Sequence, residues 1–178
     1  MKSIHEVDRL DLRWAPSNAL PNAYELRSDS DILGTLTWQK AYGTIAKAES
    51  SDGCWTFKRT GFFSPKVTVR EVGSDTDIAV MTGSLAGPDT LRLRDGCTFR
   101  WVATNFWETA CAFTDTNGTK LVQFKPGPEL LKQTAFVEIS ASANELPELS
   151  LLMLLGWYLL VMMWQDTTIA GITAASAG

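Results

Sequence analysis

The sequence predicts a mostly β (α+β) fold, with about twelve antiparallel strands closed into a barrel around one central hydrophobic C-terminal α-helix. Three observations carry that expectation. From about Leu20 to Ser140, apolar and polar residues alternate with period two, and turn residues interrupt the alternation every ~8–12 positions. Between Leu149 and Trp164 only Ser150 and Gly156 are not large and apolar, so no side of that segment carries a polar stripe. Finally, 178 residues with 45 % hydrophobic content suffice for one sizeable core and fall short of two comfortable domains.

The alternation predicts strands near residues 10–14, 22–28, 32–38, 43–50, 54–60, 66–72, 77–83, 89–94, 97–103, 107–114, 119–125 and 134–140. Hairpin registers follow from parity, because both strands must turn their apolar side chains to one face. A two-residue type I′ turn at Asn117-Gly118 sets Phe113 opposite Val122 and Cys111 opposite Phe124. The same kind of turn at Asp52-Gly53 sets Phe57 opposite Ala48 and Trp55 opposite Ser50, large side chains against small ones. Around Asp95-Gly96 a three-residue loop is preferred to a two-residue one, since it aligns Leu93 with Phe99 and Leu91 with Trp101.

Beyond Ser140, Asn144-Glu145-Leu146-Pro147-Glu148 reads as a helix start, with Pro147 in the first turn and Glu145 and Glu148 complementing the dipole. The helix is expected over about 147–164, and residues 167–178 are expected to form a poorly ordered tail after a domain of residues 1–166. Such a helix must be surrounded by lipid or by protein. Residues 147–164 would span about 27 Å, marginal for a hydrocarbon core of about 30 Å. No Lys or Arg follows Lys132, and Glu145, Glu148 and Asp166 flank the segment, against the usual basic bias of a cytoplasmic anchor flank. Enclosure by the barrel is therefore the main expectation, with a bilayer-spanning 149–164 helix as its alternative.

Charge and rare residues narrow the chemistry. A net charge of −4 and a pI near 5.0 give no basic footprint for a nucleic acid. Met1–Trp14 carries seven charged or titratable side chains and no apolar run, which predicts a cytoplasmic chain without a secretory leader. Cys54, Cys97 and Cys111 are odd in number and never form a Cys-x-x-Cys pair, so free thiols are expected. His5 is the one histidine, which removes a histidine-based triad or His-rich metal centre. Gly73-Ser74 and Gly83-Ser84 lack a nucleophile elbow. Asp29-Ser30-Asp31, Asp75-Thr76-Asp77 and Asp115-Thr116-Asn117-Gly118 each offer two or three oxygens where calcium takes six to eight, and read as turns. No cofactor, no metal and no catalysis are expected.

Two groups of residues suggest binding instead. The loop Lys58-Arg59-Thr60-Gly61-Phe62-Phe63-Ser64-Pro65-Lys66 sets Phe62 and Phe63 among Lys58, Arg59 and Lys66, the composition of a segment that dips rings into a lipid interface while cations meet anionic head groups. Alternatively, the two phenylalanines fold inward and plug the barrel. In the preferred three-residue loop register, Arg92 lies directly opposite Arg100 with Arg94 on the same outward face, an arrangement suited to an anion or acidic partner. The alternative is a solvated strand face balanced by neighbouring strands.

The layout resembles the tubby C-terminal-like superfamily, which includes tubby domains, phospholipid scramblases and LURP-one-related proteins. The resemblance covers nearly the whole chain. It rests on the strand count, the Asp52-Gly53-Cys54-Trp55-Thr56-Phe57 hairpin, and Glu145-Leu146-Pro147-Glu148-Leu149 followed by the apolar run to Trp164. It implies a barrel around a helix easily mistaken for a transmembrane segment. It also implies binding at membranes, since tubby domains recognise phosphoinositide head groups through basic residues and scramblases are associated with calcium-dependent lipid movement. The functional expectation is a non-enzymatic binding or scaffold domain, cytoplasmic and peripheral to the membrane, with anionic lipid or a protein as partner. The alternatives are a tail-anchored membrane protein and a ligand-carrying barrel whose helix moves aside.

Overall fold

The computed structural model describes residues 1–178 other than 7–10, 42, 62–63, 84–86, 106–108, 128–132 and 177–178, with side chains through Thr168. Twelve antiparallel strands follow one another around a closed barrel: β1 (Leu12–Pro16), β2 (Ala23–Ser28), β3 (Asp31–Trp38), β4 (Ile45–Ser50), β5 (Gly53–Thr60), β6 (Lys66–Glu71), β7 (Asp77–Thr82), β8 (Asp89–Leu93), β9 (Thr98–Ala103), β10 (Cys111–Thr114), β11 (Lys120–Pro126) and β12 (Ala135–Ile139). The ring closes between β1 and β12 through Arg13↔Phe136 and Trp14↔Ala135. A short 3-10 turn (Ala141–Ala143) then leads to a single helix, α1 (Leu149–Ser176).

Because successive strands alternate in direction, the connections after β2, β4, β6, β8 and β10 share one end of the barrel with the start of α1. The connections after the odd-numbered strands share the other. These are called the turn end and the loop end. Near the turn end the Ser150 hydroxyl donates to the Asp52 carboxylate. Near the loop end the Tyr158 hydroxyl donates to the Thr44 carbonyl (2.6 Å), and Arg59 grips Asp166 through two bonds of 2.7 Å. Burial pushes the Tyr158 phenol well above its ordinary pKa.

The interior is filled by α1. Leu149, Leu152, Met153, Leu154, Leu155, Trp157, Tyr158 and Leu160 all have zero exposure, each contributing about 1.5–3 kcal/mol of transfer free energy. Inward side chains of the strands meet them on every side, Trp14, Leu26, Leu36, Phe57, Leu91, Phe113 and Phe124 among them. Trp14 stacks on Trp157 (5.5 Å, 2°), Trp38 on Tyr158 (5.9 Å, 10°), and Phe57 meets Tyr158 edge-on. Glycine 156 exists for this packing: a Cβ there would run into the Phe124 ring and lie 3.2 Å from Trp101. The stretch Leu149–Thr168 is long and apolar enough to cross a membrane, yet 72 % of its most apolar 18-residue window is buried within this structure.

All twelve strands lie near their expected positions, but hairpin registers depart in instructive ways. At Asp115–Gly118 the pairs Phe113↔Val122 and Cys111↔Phe124 form as expected, with a bulge after Phe113. The turn is not type I′. Only Gly118 is left-handed (φ 88°), and its N–H returns to the Asp115 carbonyl (3.2 Å), a type I turn closed by a glycine bulge. The Asp115 carboxylate accepts the N–H groups of Thr119 and Asn117, the former holding it most strongly below its usual pKa, which is turn-capping chemistry.

At the next hairpin the loop is Ser51-Asp52, so Trp55 faces Ala48 and Phe57 faces Ala46, two residues from the expected register. Gly53 is needed for space instead of turn geometry, since a Cβ there would sit 2.7 Å from the Trp55 ring. Glutamate 148 precedes the helix, its carbonyl accepting the Leu152 N–H (2.9 Å), so Pro147 lies outside the first turn. Nor does the helix stop near Trp164: it continues through Ser176, across the stretch expected to be a tail. Thr167 and Thr168 bond back to the carbonyls of Met163 and Trp164, satisfying their hydroxyls without leaving the helix.

Two outcomes follow. Gly156→Ala should cost about 1–3 kcal/mol in urea unfolding despite its better helix propensity, and adding Phe124→Leu should restore part of the loss. Buried Glu25 is pulled upward by desolvation, but the Ser17 hydroxyl (2.6 Å) and Arg27 outweigh this and hold its pKa below normal. Its stabilisation is complete above the unfolded value of 4.5 and is lost as pH falls through the lower folded one, so Glu25→Gln should flatten the stability profile across that acid window.

Candidate anion-binding face

Strand parity sorts β5–β9 cleanly. Phe57, Val67, Val69, Met81, Leu91 and Phe99 point inward and are at most 5 % exposed. The alternate residues therefore face out. Register then aligns them in two rows that cross the strands. One runs Lys58↔Thr68↔Val80↔Arg92↔Thr98, and the other Thr60↔Lys66↔Thr82↔Thr90↔Arg100. Neither row contains an acidic residue, on a chain whose net charge is −4. Arg94 lies just beyond β8, exposed, with its backbone N–H on the Ile78 carbonyl (2.9 Å).

Lys58 and Lys66 of the first group singled out in the sequence thus share one outer surface with Arg92, Arg94 and Arg100 of the second. Lys58, Lys66, Arg92, Arg94 and Arg100 are all exposed and make no ion pair with any described residue. Arg70, on the same face, is neutralised by Asp77 (2.6 Å). Arg59 does not belong to this surface. Its odd position turns it inward at the barrel mouth, where the Asp166 carboxylate accepts from both Nη1 and Nη2 and, foremost through that hydrogen bond, raises its pKa. Phe62 and Phe63 lie outside the described residues.

The expected opposition of Arg92 and Arg100 does not form. Arg92 pairs with Thr98, and Arg100 pairs with Thr90, so the two arginines are not directly opposed. The loop does have three residues, but they are Arg94-Asp95-Gly96: Leu93 N–H bonds to the Cys97 carbonyl (2.8 Å), and Gly96 takes the left-handed closing position at φ 99°. Placing glycine last in the loop shifts every pair by two. The arginines become diagonal neighbours, about 7–8 Å apart at the backbone, within reach of one shared anion and free of direct opposition.

Sequence reasoning did not single out the threonines. Thr60, Thr68, Thr82, Thr90 and Thr98 supply hydroxyls between the cations, and only the cross-strand register shows that they share a surface. Elsewhere, Asp95, Cys97 and Glu148 bring three ligand atoms within 4.8 Å of one another at the turn end. The charge of Asp95, then burial and Glu148, push the Cys97 thiol up, so it stays protonated there.

If the basic face serves binding and not folding, Arg92→Glu with Arg100→Glu should change the unfolding free energy by no more than about 0.5 kcal/mol per site; a loss above about 2 kcal/mol would mark the arginines as structural. No protein-family model matches the chain, and comparisons with curated proteins and with solved structures likewise give no match.

Proposed function

We propose that the chain is a non-enzymatic binding domain whose outer β5–β9 face docks on an anionic lipid surface. The observation that carries this is the pair of acid-free rows, which gathers Lys58 and Lys66 from the β5–β6 hairpin with Arg92 and Arg100 from the β8–β9 hairpin and sets Arg94 at their edge. A cation near an anionic leaflet contributes about 1 kcal/mol, so five give an attraction that is useful, reversible and sensitive to salt. In sequence, Phe62 and Phe63 lie between the strands that carry Lys58 and Lys66, and rings of that kind would add apolar insertion to that attraction. A filled interior fits binding at the exterior better than a substrate chamber. The architectural resemblance to the tubby, scramblase and LURP-one-related group leads to the same class of function. The tail-anchored alternative draws on the length and apolarity of α1 alone, and a barrel's core helix has both.

Vesicle co-sedimentation tests the proposal. Binding to phosphatidylcholine vesicles should appear as phosphatidylserine is added and fade with rising salt. Lys66→Glu with Arg100→Glu should weaken it more than about tenfold, whereas Arg59→Ala should leave it unchanged because Asp166 already occupies that guanidinium. Phe62→Ser with Phe63→Ser should weaken it without melting the domain; unfolding would instead identify the two rings as a plug. Equal binding by wild type and the Lys66/Arg100 variant would sink the assignment.

A further inference from the structure

We propose that a small cavity at the loop end, beside the exit of α1, binds a neutral, polyhydroxylated ring of monosaccharide size. The cavity holds about 340 Å³ and is lined by Asn22, Tyr24, Trp38, Ala41, Gln133 and Gln165. That volume lies at the small end of the ~300–1,000 Å³ typical of ligand sites, enough for a single ring. Asn22 closes the β1–β2 connection, Tyr24 and Trp38 come from β2 and β3, Gln133 precedes β12, and Gln165 belongs to α1. Four segments, 22–24, 38–41, Gln133 and Gln165, therefore deliver the lining.

Its chemistry is selective. These residues include three carboxamides, a phenol and an indole, and no charged side chain. A carboxamide donates and accepts at once, as a sugar hydroxyl does, and the two match in either direction. A phosphate or carboxylate would enter without a counter-charge among the described lining residues, which leave its desolvation cost without an offset. The Tyr24 hydroxyl donates to Gln133 Oε1, which orients that amide and keeps its NH₂ for another acceptor. The side-chain amides of Asn22 and Gln165 make no hydrogen bond to a described residue.

Beneath the cavity lies a cluster of rings with three buried indole N–H groups, of Trp14, Trp38 and Trp157, that have no hydrogen-bond partner among the described residues. Buried donors left unpaired are uncommon, and Trp38 lines the cavity itself. A flat aromatic ligand fits less well. Trp38 is only 5 % exposed, stacked on Tyr158 and met edge-on by Tyr24 (5.6 Å), while Tyr24 also meets Trp157 edge-on (5.3 Å). With those rings already engaged, hydrogen bonds to the amides decide the ligand and stacking does not.

The test uses the full chain and its tryptophan fluorescence, with ligand-observed NMR as a second readout. Glucose, galactose and N-acetylglucosamine would each be titrated to about 20 mM, beside glucose 6-phosphate, uridine and phenol. The expected result is saturable binding of at least one neutral sugar, tighter than any of the other three, and at least about tenfold weaker in Gln165→Ala with an unchanged melting temperature. Asn22→Gly, which keeps the left-handed backbone at φ 51°, is the second variant and should show the same loss. The proposal is overturned by the absence of saturable binding of any neutral sugar, by tighter binding of the phosphate, the nucleoside or phenol, or by full affinity in either variant.

Discussion

Everything in this molecule follows from a helix that has no side suited to water. A helix with apolar residues all round cannot lie on a sheet, because a sheet covers one face only. It must be enclosed, and an antiparallel sheet closed on itself provides an apolar wall in all directions while keeping its polar residues outside. The barrel is thus the container its own C-terminal segment requires. The seam at β1 and β12 is reinforced from inside, since the packing of Trp14 on Trp157 ties β1 to the helix as well as to its neighbour.

Enclosure has two consequences for function. A filled interior leaves the outer surface and the two ends as the places open to a ligand. On the outside, the two-residue period that delivers Phe57, Val67, Leu91 and Phe99 to the core necessarily delivers Lys58, Lys66, Arg92 and Arg100 to solvent. The ends differ from each other. At the turn end the chain comes directly from β12 through a short 3-10 turn into the barrel. At the loop end the helix emerges among longer connections, held by Tyr158 to Thr44 and by Arg59 to Asp166. The half-buried Trp164 and Gln165, beside that exit, are where interior packing gives way to polar lining.

Much of this was legible in the sequence, because a two-residue period and an unstriped apolar helix are strong signals. Strand number, closure around the helix and the inward set of residues could all be read from them. Register was harder. Glycine plays two roles that look alike in a sequence: Gly96 and Gly118 adopt left-handed backbone, while Gly53 makes room for the Trp55 ring. Treating Gly53 as a turn residue moves that hairpin by two positions, and placing the Asp95-Gly96 loop one residue late sets Arg92 against Arg100. The apolar run ends at Trp164, but α1 runs on past it, because Thr167 and Thr168 bond back to the preceding turn. The basic face was visible only as two fragments, since their union depends on pairing across five strands. The amide-lined cavity left no local trace, because its residues meet only in the folded chain.

The most direct measurement is amide hydrogen exchange, followed by mass spectrometry, on the full chain purified without detergent. With α1 as the barrel's core, peptides covering Leu149–Met162 should be among the slowest to exchange and should open only with global unfolding. Rapid exchange across that segment in the folded protein, or a chain that leaves the membrane fraction only with detergent, would contradict an enclosed helix and with it the origin of the barrel.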